Sequence, residues 1–239
     1  MNACPLTLAG TDLLALPSGG LFLPGSAALV VSDLHLGRAE RVAREAGPLL
    51  PPFEAAETLG RLAQDIAATG ARQIVCLGDS FDDAAAADAL DPAAREQLLT
   101  LQAGRRWVWI EGNHDPGPLD LGGAHLSEMR LGALTFRHIA IPGANGEVSG
   151  HYHPKLGLPG AGRPRPCFLI DASRLILPAY GCYTGGLSAT SPVLTALFSQ
   201  PAHAVLTGKR ALKVPLPSGG AKRGGPRPVP LHQAVGRRA

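Results

Sequence analysis

Three times in the first half of this chain an apolar run of strand length stops abruptly at acids, amides and imidazoles. "ALVVSDLHLG" ends in Asp33 and His35, "RQIVCLGDSFDD" in Asp79, Asp82 and Asp83, and "RRWVWIEGNHD" in Asn113, His114 and Asp115. A short, wholly apolar run bounded by turn residues predicts a strand buried on both faces, as in a parallel sheet. The segments between the runs have a helical pattern. In "PFEAAETLGRLAQDIAAT", Leu59, Leu62 and Ile66 repeat at i, i+3 and i+7, with Pro52 at the start and Gly70 at the end. A second helical segment, "PAAREQLLTLQAG", leads into the third run. Strand–helix–strand–helix–strand implies βαβ units, and an open α/β sheet binds ligands off the carboxyl ends of its strands. All three polar clusters then converge on one sheet edge.

That convergence restricts the chemistry. Carboxylates gathered at the ends of apolar strands repel one another unless cations hold them. Carboxylates, imidazoles and an amide oxygen without thiolate suit Mn²⁺, Fe or Zn²⁺ and disfavour a cysteine-type structural zinc. About eight donor groups exceed the needs of one tetrahedral ion and suit two ions sharing a carboxylate. A further pair, His151 and His153 in "SGHYHPK", lies one residue apart between a glycine and a proline. In a strand the two rings would share a face; in a Gly-to-Pro turn they fan out around a common centre. Taken alone, such a pair is more often a plain surface feature than a metal site.

The rest of the chain supplies the frame. "LTLAGTDLLALPSGGLFLP" reads as short strands broken by Gly-rich turns. After Pro118, "AHLSEMRLG", "ALTFRHIAIPG", "CFLIDASRLILPA" and "AHAVLTG" read as strands, with hairpins expected at Gly132 and Ala172–Ser173. "AAAADA" is expected to be helix or loop. An α/β front half and a β-rich back half suggest two sheets packed face to face with helices outside. With 239 residues, 45% of them hydrophobic, the chain suits one sizeable domain. That domain is expected over 1–214, followed by a basic, Gly/Pro-rich flexible tail over 215–239.

Charge is divided unevenly. Residues 1–171 carry 13 Lys/Arg against all 19 acids, and residues 172–239 carry 9 Lys/Arg and no acid. An acidic front with a basic back is expected of a metal site joined to an anion-holding surface, although a solvated tail is an equal alternative. The apolar runs are strand-sized rather than membrane-sized, and the start lacks a basic stretch followed by an apolar one. Cys4, Cys76, Cys167 and Cys182 form no CxxC pair, so reduced thiols in a cytoplasm are expected.

Asp33-x-His35, Gly78-Asp79-x-x-Asp82, Gly112-Asn113-His114-Asp115, the single His138 and Gly150-His151-x-His153 together resemble the motif series of the calcineurin-like metallophosphoesterases. Order and approximate spacing agree through residue 153. Within that superfamily, "SDLHLGRAE", "LGDSFDD", "SGHYHPK" and "LPAYGCYTGGL" resemble the bacterial ligase-associated DNA damage response endonucleases over nearly residues 1–214. The resemblance implies an α/β fold, an α+β sandwich of two central mixed β-sheets packed face to face with flanking helices in four layers. It implies two divalent metal ions, Mn²⁺ first and Fe or Zn²⁺ as alternatives. One ion would be held by Asp33, His35, Asp79 and His153, the other by Asp79, Asn113, His138 and His151, with Asp79 bridging. His138 departs from the pattern in its flank, "HIAI", where His-Glu-Pro is expected.

The same resemblance implies His114 as general acid or phosphate stabiliser. Asp82 is expected to orient His114 and raise its pKa, although these enzymes often carry histidine at that place. Arg38 is expected either at a substrate phosphate or in a surface salt bridge. "YTGG" at 183–186 would bring backbone N–H groups to the pocket or merely turn tightly. The implied activity is a Mn²⁺-dependent endonuclease with a preference for single-stranded DNA, working in DNA repair. DNA is the implied partner, with functional association with a DNA ligase and a helicase, and room for a homodimer. A small-molecule or nucleotide phosphoesterase would use the same metal chemistry. A non-catalytic scaffold is the third reading, and the intact Asp/His/Asn set argues against it. Two Trp, three Tyr and six Phe offer few platforms for single-strand bases.

Overall fold

The apolar runs become the centre of a seven-stranded sheet. Cys4–Leu8 (β1), Thr11–Ala15 (β2) and Leu21–Leu23 (β3) form an antiparallel meander leading into Ala28–Val31 (β4). Pairing then turns parallel. Arg38–Arg44 (α1) and Glu54–Thr69 (α2) connect β4 to Gln73–Leu77 (β5). Ala84–Asp88 (α3) and Pro92–Gln102 (α4) connect β5 to Arg106–Ile110 (β6), and Ala124–Leu126 (β7) lies parallel to β6 at the edge. The computed structural model describes residues 2–216 except 46, 48, 49, 52, 118, 119, 161 and 200.

The remaining strands form the second sheet. They are Glu128–Leu131 (β8), Leu134–Arg137 (β9), Glu147–Ser149 (β10), Lys155–Leu156 (β11), Arg165–Ile170 (β12) and Arg174–Ile176 (β13). A short helix, Pro192–Thr195 (α5), precedes His203–Leu206 (β14) and Leu212–Pro215 (β15). Their order is β15-β14-β12-β13-β10-β9-β8, with β11 beside β12. The sheet is mixed because β10 runs parallel to both β9 and β13 while its other pairs are antiparallel.

Alternation along the strands explains why their sequences are continuously apolar. Leu29, Val31, Ile74, Cys76, Trp107 and Trp109 face Leu59, Leu62 and Ile66 of α2 and Leu98 of α4. Their chain neighbours Val30, Val75, Leu77, Val108 and Ile110 face Phe136, Val148, Phe168, Leu175 and Val205 of the second sheet. Both faces are therefore buried. A third core covers the outer face of the second sheet with Leu194 of α5 and Phe198. The two-sheet sandwich with flanking helices is thus present. The outermost layer is helical chiefly over the first sheet, since α5 spans four residues.

Several expectations change in detail. "AHLSEMRLG" is not one back-half strand: it divides at Ser127, with β7 in the first sheet and β8 in the second. "ALTFRHIAIPG" stops being strand at Arg137, which frees His138 from the sheet. "AAAADA" contains α3, and the hairpins at Gly132 and Ala172–Ser173 are present. Pro215 ends β15 and Leu216 is buried, so those two residues of the expected tail belong to the folded part. Residues 217–239 lie outside the described residues. All four cysteines are free thiols. Among the described residues no helix is long and apolar enough to cross a membrane.

Candidate metal centre

The loops after β4, β5, β6, β9 and β10 meet at one end of the sandwich. Five residues in them adopt the left-handed conformation without being glycine: Asp33 (φ 53°), His35 (46°), Asp79 (45°), His151 (71°) and His153 (46°). Such residues are uncommon, and they persist where surrounding bonds hold them, often at active sites. The bonds here are visible. Asp33 N–H donates to the Gly78 carbonyl (3.2 Å), His35 N–H to Asp79 (2.9 Å) and Leu36 N–H to Ser80 (2.9 Å). Asp115 accepts from the N–H groups of Asp79 (2.9 Å), Ser80 (2.7 Å), Phe81 (3.2 Å) and Gly112 (3.1 Å), which ties the second loop to the third. His151 N–H donates to Asp33 Oδ2 at 3.0 Å and so ties the second sheet to the first. Packing here is close enough to demand glycine at several positions, Gly78 and Gly150 among them. A Cβ at Gly78 would lie 2.5 Å from the His138 ring, and one at Gly150 would lie 1.7 Å from Ser32 Oγ.

The donor atoms fall into two groups. In the first, His153 Nε2 lies 3.4 Å from His35 Nε2 and 3.2 Å from Asp33 Oδ1. In the second, His138 Nε2 lies 3.2 Å from His151 Nδ1, 3.3 Å from Asp79 Oδ2 and 3.0 Å from Asn113 Oδ1. Two ligands each about 2.1 Å from a tetrahedral ion stand roughly 3.4 Å apart, so each group has the spacing of donors sharing a cation. The tautomers agree. Nδ1 of His35 is engaged by Asp82 Oδ1 at 2.8 Å and Nδ1 of His138 by the Leu77 carbonyl at 2.8 Å. A proton on Nδ1 leaves Nε2 as a lone pair directed into the group. Oxygen and imidazole donors without sulfur suit Mn²⁺, Fe or Zn²⁺.

Charge at the centre is polarised by burial and by these contacts. Burial would raise the Asp79 carboxyl, but the His138 hydrogen bond and charge and the His114 N–H hold it well below the usual carboxylate range. Asp33 is likewise lowered against burial, by His153, His138 and Ser32. Burial lowers His138, but Asp79 and Asp33 outweigh it and carry its pKa up to about 9. Burial and the neighbouring His138 lower His151. Burial pushes Asp115 up to about 6 in spite of the hydrogen bonds from Phe81 and Ser80, with Asp79 adding to the rise.

The structure thus gathers Asp33, His35, Asp79, Asn113, His138, His151 and His153 at one place. His138 lies within the second group despite its unusual flank. Two other expectations are met differently. The buried Asp82 carboxylate does not face His114: it bonds His35 Nδ1, Arg38 Nη1 at 2.9 Å and Arg41 Nε. What meets His114 Nδ1, at 2.8 Å, is the main-chain carbonyl of Asp82. The reason is that α1 presents Arg38 and Arg41 to the carboxylate, which turns toward them and His35. Arg38 pairs with the buried Asp82 carboxylate while a quarter of its own side chain stays exposed. His35, Asp82 and His114 also cluster closely. In this cluster the Asp82 carboxylate is engaged by His35 Nδ1, Arg38 and Arg41.

Arg41 and Ser32 were not anticipated. Arg38 and Arg41 stand at i, i+3 in "RAERVAR", a spacing that marks one helix face. Ser32, whose Oγ donates to Asp33 Oδ2 at 2.5 Å, carries no comparable sequence signal. A cavity of about 540 Å³ opens beside the second group, lined by Asn113, His138, Glu111, Arg137, Ile139 and Ile141 among others.

Comparison with known proteins agrees with this geometry. A family model described as calcineurin-like phosphoesterase matches residues 27–191. No curated protein sequence matches this chain. Among solved structures, Pseudomonas putida nuclease MPE superposes with a TM-score of 0.72 at 28% sequence identity, covering 90% of this chain and 100% of the other. With the family match at residues 27–191 spanning all five loops that build the donor groups, this chain belongs to the calcineurin-like phosphoesterases.

Proposed function

We propose that this chain is a dinuclear-metal phosphodiesterase, a Mn²⁺-dependent endonuclease that cuts single-stranded DNA in repair. The observation that carries the metal part is the pair of facing imidazole couples, 3.4 Å and 3.2 Å between nitrogens, each with its own aspartate. The likeness to a nuclease over 90% of the chain supports the choice of substrate. Asp33, His35, Asp79 and His153 would hold one ion, and Asp79, Asn113, His138 and His151 the other. Bound there, two divalent ions supply Lewis-acid polarisation of a phosphate and an activated water. Around them the protein's own groups divide the work. His114 Nδ1–H donates to the Asp82 carbonyl, which fixes the ring, and in the imidazolium form the second proton, on Nε2, would go to the departing oxygen. The Asp82 carboxylate holds the ring of His35, and Arg38 and Arg41 balance its charge. Functional association with a DNA ligase and a helicase, and a homodimeric state, belong to the same reading.

The partly apolar cavity beside Asn113 and His138 favours a second reading, a small-molecule or nucleotide phosphoesterase. One assay separates the two. Chelator-treated protein is reloaded with Mn²⁺, Mg²⁺ or Zn²⁺ and offered a single-stranded oligonucleotide, a duplex and a nucleotide monoester. Nicking of the single strand with Mn²⁺ is expected. Monoester turnover without nicking would transfer the argument to the second reading. In the same experiment His151→Ala and His153→Ala should each lose a different ion and Asp79→Ala both. His114→Ala should keep both ions and lose about 10²- to 10⁴-fold in rate.

A further inference from the structure

The loop from Tyr180 to Leu187 is pinned at both ends to segments that carry members of the donor groups. At one end Tyr180 N–H donates to the Ser32 carbonyl (2.8 Å) and Gly181 N–H to that of Asp33 (3.1 Å). At the other, Leu187 N–H donates to the Tyr152 carbonyl (3.2 Å), and a Cβ at Gly186 would lie 2.1 Å from the His153 carbonyl oxygen. Between them Lys155 Nζ holds the Thr184 carbonyl at 2.8 Å. The loop thus spans from Asp33 to His153, two members of one donor group.

Tyr183 stands in the middle of this span. It adopts φ 56°, although a bulky side chain rarely takes the left-handed region, and the residue is 43% exposed. It belongs to none of the hydrophobic cores. No hydrogen bond or ring contact ties it to another described residue. Glycine would suit the backbone better, and no polar contact among the described residues accounts for the ring. An unfavourable conformation held by a pinned loop beside a reaction centre points to a ligand outside the fold.

We propose that Tyr183 is the stacking platform for a nucleobase of the strand whose phosphate lies at the metal centre. This rests on the nuclease reading above. The chemistry is selective in kind: a flat, exposed ring takes the face of any unpaired base and therefore recognises single strands without reading sequence. Bases of an intact duplex are already stacked and cannot use it. The other strongly exposed aromatic, Phe53, precedes α2 and is not part of this pinned loop.

The test uses full-length, Mn²⁺-loaded protein and two single strands of equal length, one ordinary and one abasic throughout. Tyr183→Gly is the principal variant, because glycine accepts the same φ and leaves the loop unstrained. It should lower kcat/KM on the ordinary strand roughly 5- to 150-fold, mainly through KM, without a matching fall on the abasic strand. Tyr183→Phe and Tyr183→Trp should restore the wild-type ratio between the two strands. Equal losses on both strands would overturn the proposal, as would a phenylalanine variant as poor as the glycine one. Wild-type protein that cuts neither strand would instead overturn the nuclease reading, and the platform with it.

Discussion

His138 shows most clearly how neighbours decide what one residue does. Its sequence flank departs from the family pattern, yet its ring sits between the Leu77 carbonyl, Asn113, Asp79 and His151. In metal-free protein the carboxylates raise its pKa from 6.5 to about 9 in spite of burial. A histidine raised in this way contributes stability that is fully present below its unfolded value and is lost as pH rises through the folded one. Chelated protein should therefore lose roughly 3 kcal/mol between pH 6.5 and 9. That corresponds to a melting point lower by about 6–12 °C. Mn²⁺-loaded protein should lack this slope, because a coordinated imidazole is already neutral. Melts of wild type and His138→Gln across that pH range check it; parallel profiles in the chelated state would sink the idea. Asp82 carries the same lesson. Its type and position were legible, but its partner was not, since a carboxylate three residues past Asp79 reaches His35 or His114 only according to how α1 lies.

At the scale of elements, the strands and the two long helices were legible because their burial follows a simple period. Leu59, Leu62 and Ile66 form one face of α2, and β4 to β6 alternate between two cores. Helix α1 was not legible: none of its residues is buried, so "RAERVAR" has no apolar stripe to read. The loops after the strands contribute through conformation rather than burial. Gly78 and Gly70 allow this to be tested as a pair. Both have positive φ, 69° and 66°, but a Cβ at Gly78 would strike the His138 ring, whereas one at Gly70 would meet open space. Gly70→Ala should cost about 1 kcal/mol and keep both ions. Gly78→Ala should cost more, roughly 1–3 kcal/mol for backbone strain alone, and should lose the ion held by His138. Thermal melts and metal analysis of the two variants decide it. Full metal content in Gly78→Ala would mean that the ring is not held where the loop places it.

Across the whole molecule, the donor groups exist only when the sheets are docked. Asp33, His35 and Asp79 come from loops of the first sheet, His138, His151 and His153 from those of the second. Metal binding must therefore favour the docked state over the unfolded chain. Free Mn²⁺ at a thousand times its Kd should stabilise the protein by about 4 kcal/mol. The melting point should rise by roughly 8–16 °C and return on chelation. An unchanged melting point at saturating metal would show that the two sheets do not share the ions. The same dependence separates what sequence determined from what tertiary structure decided. Strand and helix periodicity, the abrupt polar ends, the donor types and the absence of thiolate among them are local properties, readable one segment at a time. Which ring faces which is not local. His35 and His153 are 118 residues apart and meet at 3.4 Å. The division of one read strand between two sheets at Ser127, the turn of Asp82 toward His35, and the pinning of the Tyr183 loop between Asp33 and His153 have the same origin. Each depends on how one sheet packs against the other, and that packing is set by side chains from every part of the chain at once.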